Sequence, residues 1–140
     1  MWKGLHLMPK PGTMIFGVPT RKPFDSEMRF FEENPNIAGM ASRDNKVLLN
    51  PYSTHLSQDE INAVSRNEAA RVHMRKGTLA RPKFGLTKKQ KEAFSVYGSE
   101  QDQKETIIGR IISGDPSALD ATKEQRSYAD RLLKAMSKKP

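Results

Sequence analysis

Residues 57–77, SQDEINAVSRNEAARVHMRKG, contain the signals for both ends of one long helix. Ser57 and Glu60 have the spacing of a capping box, in which each side chain accepts a hydrogen bond from the other residue's backbone. Gly77 follows a basic last turn, as expected where a helix ends in the left-handed conformation. The stretch therefore predicts a helix that ends near residue 76. Its apolar stripe is weak and consists of Ile61, Val64, Ala69 and Val72.

Similar signals predict further helices on both sides of this one. Capping boxes at 87–90 and 122–125 each open a helix, and the first of these is expected to reach Gly98. Ser99 caps a helix that ends at Gly114 and carries the strongest apolar stripe in the chain: Ile107, Ile108, Ile111 and Ile112. A short helix from residue 25 or 26 to about residue 33 is expected to stop before Pro35.

One short strand is expected in the first half of the chain. Residues 46–50, KVLLN, form an apolar run that ends before Pro51, and residues 36–45 have the composition of a loop. A single strand cannot make a sheet, so residues 46–50 either pair with residues 14–18 or stay extended. The predicted fold is thus mainly α, a small helical domain of three long helices plus short ones, with at most one short strand pairing.

Residues 1–24 are predicted to be an extended, Pro-rich N-terminal arm, followed by a helical domain at 25–136 and a basic tail at 137–140. Four prolines and three glycines disfavour both helix and central strand in the arm. The arm also carries apolar side chains that a solvated tail does not need, and we expect these to bind a partner protein: Trp2, Leu5, Leu7, Met8, Met14, Ile15 and Phe16. The alternative is that the arm packs on its own helices, because a small core needs every apolar group.

Composition sets limits on the kind of protein. Leu, Ile, Val and Phe make up 28 of 140 residues, which predicts one domain with a small core. The absence of cysteine excludes disulfides, thiolate metal sites and cysteine nucleophiles. No apolar stretch approaches the roughly 18 residues of a membrane span, and the N-terminus lacks the pattern of a signal peptide. We therefore expect no membrane span and no secretion by a signal peptide.

The net charge of +8 is concentrated in residues 66–91, where nine basic residues face Glu68 as the single acid. Such a run is able to bind the phosphates of nucleic acid, an acidic protein surface or an anionic membrane surface. The predicted anion-binding residues are Arg66, Arg71, Arg75, Lys76, Arg81, Lys83, Lys88 and Lys89. The alternative is a solvated helix face followed by a loop. Arg71 and Arg75 are one helical turn apart and are expected to share a face.

No sequence pattern of an enzyme is present. The chain lacks the glycine-rich phosphate loops GxGxxG and GxxxxGK[ST] and the nucleophile elbow GxSxG. Its three histidines are far apart in sequence and match no metal motif. Glu68, on the weak apolar stripe beside Arg66 and Arg71, fits a partly buried ion pair better than a general base. We predict no catalytic residue, no metal site and no cofactor.

Three segments resemble small, poorly characterised proteins of tailed bacteriophages: NPNIAGMA at 34–41 leading to KVLLNPY at 46–52, NEAAR at 67–71, and IISGDPSA at 111–118. The resemblance covers about residues 24–136 and transfers no functional residue. It implies a viral product, and with the arm it favours a minor virion component of the capsid or tail that binds other virion proteins. The alternative is a small nucleic-acid-binding or host-modulating phage protein. The expected location is the virion or the host cytoplasm.

Overall fold

The computed structural model describes residues 8–115, 118 and 120–137 of the chain. In chain order, its elements are β1 (Met14–Ile15), β2 (Val18–Pro19), α1 (Asp25–Glu33), β3 (Gly39–Ala41), β4 (Val47–Leu49), α2 (Gln58–Lys76), α3 (Lys88–Ala93), a 3₁₀ turn (Ser95–Tyr97), α4 (Glu100–Ser113) and α5 (Lys123–Met136). Within these residues the fold is mainly α, with the three long helices and the shorter ones that the sequence predicts.

Most helix ends lie where the local signals place them. The side chains of Ser57, Thr87 and Thr122 each accept a hydrogen bond from a backbone N–H three residues later, and a reciprocal bond completes each capping box. Gly77 and Gly114 end α2 and α4 with φ of 75°, a left-handed conformation that costs glycine little. These ends depend on neighbouring residues alone, which is why the sequence predicts them correctly.

The helix predicted to run from residue 87 to Gly98 is shorter than expected. α3 ends at Ala93, and residues 95–97 form a tighter 3₁₀ turn. Ser95, Val96 and Tyr97 are all weaker helix formers than the lysines and glutamine before them. The change of pitch leaves Phe94 buried while Val96 is 85% exposed.

The prediction of at most one strand pairing is wrong. β3 lies within the predicted loop at 36–45 and pairs antiparallel with β4, and the arm forms a hairpin of its own from β1 and β2. The arm pairs with β4 at an isolated bridge between Thr20 and Val47, and the Arg21 N–H donates a hydrogen bond to the Val47 carbonyl at 3.2 Å. β3 was missed because its sequence, Gly-Met-Ala, has no strand pattern. Gly39 is required there: a Cβ would come within 2.8 Å of the Leu48 carbonyl oxygen and of Val64.

Helix α2 lies between two layers, which explains its weak apolar stripe. On one side it contacts β1, β3 and β4, and on the other it contacts α4 and α5. The strands form one layer, here called the hairpin layer, and Ala69 and Val72 of α2 pack with Val47 of this layer. Ala70 and Met74 belong to the core cluster of the helical layer. Apolar side chains on two sides of one helix do not make a single stripe.

Arg21 ties the arm to the first half of the domain. Its guanidinium donates bidentate hydrogen bonds to Glu27 of α1, at 2.8 and 3.0 Å, and to Asp44 in the β3–β4 turn, at 2.9 and 3.1 Å. These hydrogen bonds hold the pKa of both carboxyl groups below the usual range, and Ser42 adds a further bond to Asp44. The arm, α1 and the hairpin turn are therefore joined at one side chain.

Candidate binding surfaces

The residues predicted to dock the arm on a partner lie in different environments. Ile15 and Phe16 are partly buried. They pack on a buried cluster of the chain's own domain that consists of Val18, Val47, Ala69 and Val72. Met14 is 57% exposed, and Met8 lines a groove. Trp2, Leu5 and Leu7 lie outside the described residues. Of the two alternatives for the arm, the structure thus shows packing on its own domain from residue 15 onward.

His73 holds this part of the arm against α2. Its Nε2 is 2.7 Å from the Phe16 carbonyl oxygen, and its Nδ1 is 2.7 Å from Thr78 Oγ1. Phe16 has a φ of 50°, which is uncommon for a residue other than glycine. The histidine therefore fixes the turn between β1 and β2 to the end of α2.

An apolar groove of about 540 Å³ lies where the arm crosses β4. Arm residues form one side, and residues of α1, β4 and the segment just after β4 form the other. The apolar lining residues include Met8, Pro9, Pro23, Met28, Leu49 and Pro51. The exposed cations Lys10 and Lys22 line it as well. The groove is built by packing between distant segments, so the sequence gives no direct signal for it.

Arg71 does not face solvent, although the sequence predicts it to bind an anion on the same face as Arg75. Its Nε lies 3.6 Å from Glu68 Oε2, and its Nη1 lies 3.4 Å from Glu105 Oε1. Its Nη2 also donates a hydrogen bond to Thr106 Oγ1 at 3.2 Å. The guanidinium therefore links α2 to α4 inside the domain. Its side chain is 12% exposed.

Glu68 occupies the partly buried ion pair that the sequence predicts. The residue is 7% exposed, and burial raises the pKa of its carboxyl group, with Arg71 opposing the shift. Among the described residues, Oε2 of Glu68 accepts no hydrogen bond, and neither does Oδ1 of the adjacent Asn67. Glu105 is better supported, because Gln101 donates a hydrogen bond to its Oε2 at 3.0 Å. This cluster therefore contributes to helix packing.

The other members of the predicted anion-binding set are spread over several surfaces. Arg75 donates a hydrogen bond to the Ala41 carbonyl at 3.0 Å, so it extends towards the hairpin layer. Lys89 forms an exposed ion pair with Asp120 at 2.9 Å. Arg66 is half-buried. The remaining members are exposed: Lys76, Arg81, Lys83 and Lys88. The block is therefore not one continuous surface.

Lys83 instead lies beside two cations that are outside the basic block at 66–91. It lines a concavity of about 400 Å³ together with Lys123 and Arg131 of α5. Phe84 and Tyr128 also line it, with their rings edge to face at 5.9 Å. Lys123 and Arg131 stand eight residues apart with Ser127 midway, a spacing that puts all three near one helix face. That spacing was a usable signal, but the approach of Lys83 depends on tertiary structure.

Other kinds of site find no support in the part of the chain that the structure describes. It contains no group of three His, Asp or Glu side chains placed to hold a metal ion. No helix within the same residues is long and apolar enough to cross a membrane. The chain matches no protein-family model, no curated protein and no solved structure. The groove and the basic concavity are therefore the two candidate surfaces.

Proposed function

We propose that this chain is a non-enzymatic interaction protein of a tailed phage, a minor virion component of the capsid or tail. Its arm contributes to docking by forming one wall of the apolar groove, rather than by extending freely from residue 8 onward. The groove carries this proposal, because it leaves apolar side chains of three distant segments on one concave surface. The resemblance of residues 24–136 to phage proteins supports the viral setting.

The lining of the groove indicates the chemistry of the partner. Met28 and Leu49 are partly buried and supply apolar contact area, while Pro9, Pro23 and Pro51 supply fixed backbone with few hydrogen-bond donors. An extended apolar segment of another virion protein fits such a surface. Acidic residues beside that segment would face Lys10 and Lys22, and this charge complementarity would favour correct orientation.

Mass spectrometry of purified particles of the phage that encodes the chain tests this proposal. We expect the chain to remain with the particles through density-gradient purification and a high-salt wash. Its absence from particles, with the chain detected in the infected-cell lysate, would contradict the virion assignment. A phage lacking the gene and complemented from a plasmid then allows variants to be compared.

Met28→Glu places a charge in the groove and should lower incorporation into particles at least tenfold. Val96→Glu is the matched control, since Val96 is 85% exposed in the 3₁₀ turn and lies outside the groove. Both proteins should show the wild-type circular dichroism spectrum, which separates loss of docking from loss of fold. Equal incorporation of the two variants would remove the groove from the proposal.

A further inference from the structure

The concavity beside α5 brings together cations from two distant parts of the chain. Lys83 lies in the connector between α2 and α3, and Lys123 and Arg131 lie on α5, yet all three line the same space of about 400 Å³. Like charges repel when they are brought together, so an anion that binds between these cations would be stabilised by them.

Like most lysines and arginines among the described residues, these three cations have no carboxylate partner within 4 Å, and what distinguishes them is that they line one concavity. Arg21, Arg71 and Lys89 each lie within 4 Å of an acidic oxygen. No ion pair within that distance forms at Lys83, Lys123 or Arg131 among the residues the structure describes. Arg131 lies over the Tyr128 ring at 5.7 Å, a contact that orients the guanidinium without neutralising it.

The aromatic rings that line the concavity are buried and do not offer a flat face to a ligand. Phe84 and Tyr128 are 6% and 4% exposed, and Tyr128 donates a hydrogen bond from its hydroxyl to the Ala80 carbonyl at 2.9 Å. Bases therefore have no aromatic face on which to stack. The groups left for recognition are the three cations and the Ser127 hydroxyl, which suit phosphate oxygens.

One acidic residue, Glu124, also lines the concavity. Its carboxylate reduces the net charge of the lining from +3 to +2. Because the carboxylate also repels anions, a ligand with little negative charge would bind weakly. The cations come from two separate parts of the chain, Lys83 from the connector and Lys123 and Arg131 from α5, and this favours a ligand with several negative charges. A nucleic-acid backbone carries a charge at every phosphate, so neighbouring phosphates are able to contact the separate cations that line the concavity.

We propose that the concavity formed by Lys83, Phe84 and α5 binds backbone phosphates of nucleic acid, without reading the base sequence. This site is separate from the apolar groove and does not depend on the docking function. A virion component with such a surface would contact the packaged genome. The proposed contact with nucleic acid thus involves Lys123 and Arg131 of α5, and it does not involve Arg71, which the sequence predicts to bind an anion.

The test is a fluorescence-anisotropy titration of the full chain into a labelled 25-base-pair duplex of mixed sequence. Three phosphate contacts give a log–log salt slope of about −2.7, which is about a 40-fold loss of affinity between about 50 and 200 mM salt. The triple variant Lys83→Gln, Lys123→Gln, Arg131→Gln should lose that part of the salt dependence. Each single variant should reduce the magnitude of the slope by about 0.9.

Arg29→Gln is the matched control for Arg131→Gln, since both remove one charge from an exposed arginine on a helix. We expect Arg29→Gln to leave the salt slope of duplex binding unchanged. The two variants have the same net charge, so a difference between their slopes reports a local contact at Arg131. All replaced side chains in the single variants are exposed, and each variant should melt at the wild-type temperature. If the triple variant does not fold, the single variants decide the test.

Three outcomes would overturn the proposal. One is no binding to the duplex at about 50 mM salt, where phosphate contacts are strongest. Another is a triple variant that folds and retains the wild-type affinity and slope. The third is equal displacement of the duplex by polyglutamate of the same total charge, which would assign the concavity to acidic protein. Incorporation into phage particles is measured separately, so failure here leaves the docking proposal standing.

Discussion

Arg71 and Arg131 are both helical arginines, but the structure gives them opposite environments. Arg71 lies between α2 and α4 with Glu68 and Glu105, and its side chain is 12% exposed. Arg131 is exposed on α5 and lines the basic concavity. Charge along the sequence does not distinguish them. The difference shows that packing decides which cations of a basic block are paired inside the domain and which stay exposed.

Removing Arg71 is expected to give the largest effect. Arg71→Ala leaves two buried carboxylates without their cation, and we expect the free energy of unfolding to fall by about 3–5 kcal/mol. Urea denaturation followed by circular dichroism measures this change. Arg131→Gln is the control and should stay within about 0.5 kcal/mol of wild type. Similar losses in the two variants would contradict the contrast between the two sites.

The contact between α2 and α4 gives the next largest effect. A Cβ built on Gly109 would overlap the side-chain oxygen of Asn67, so Gly109→Ala should destabilise the protein by about 1–3 kcal/mol. Asn67→Ala removes the obstacle and a buried oxygen that accepts no hydrogen bond within the described residues. In a double-mutant cycle, Gly109→Ala should therefore cost less in the Asn67→Ala background. Additive losses would show that the helices do not touch there.

The buried and the exposed ion pairs should respond to pH in opposite directions. Burial raises the pKa of Glu68 above its unfolded value, so its contribution to stability is full below about pH 4.5 and is lost as pH rises through the folded pKa. Glu68→Gln should thus gain stability relative to wild type as pH rises above about 4.5. Urea midpoints on both sides of that pH measure the difference. A constant difference would contradict the assigned direction.

Asp44 provides the opposite case. Its hydrogen bonds with Arg21 lower its pKa, so its contribution is full above about pH 4 and is lost as pH falls through the folded pKa. Asp44→Asn should cost less than about 1 kcal/mol at pH 7, because the side chain is 48% exposed and screened by solvent. The cost should shrink below pH 4. Acid titration of both proteins by circular dichroism checks this, and a cost that grew towards low pH would refute it.

The sequence predicted the helical half of the molecule well because its signals are local. The capping boxes at Ser57, Thr87 and Thr122 need only four consecutive residues each. β3 could not be predicted, since Gly39 is placed by close contacts with β4 and α2 rather than by its neighbours in sequence. The inward position of Arg71 likewise depends on Glu105, which is 34 residues away.

The candidate surfaces were predicted less well than the fold. Lys83 was selected from the charge run, but Lys123 and Arg131 were not, because they join it only when α5 packs beside Phe84. Of the arm residues, Ile15 and Phe16 proved to be partly buried on the chain's own domain. A sequence shows how much charge or apolar surface a segment has, whereas packing decides which part of it remains available.

The most direct test compares the salt slope of duplex binding for Arg131→Gln and Arg71→Gln, each confirmed as folded by circular dichroism. Both variants lose one positive charge from the same chain. The structure predicts that Arg131→Gln reduces the magnitude of the slope by about 0.9, while Arg71→Gln leaves it at the wild-type value. A reduced slope for Arg71→Gln, with none for Arg131→Gln, would contradict the division between a buried structural cation and an exposed binding cation.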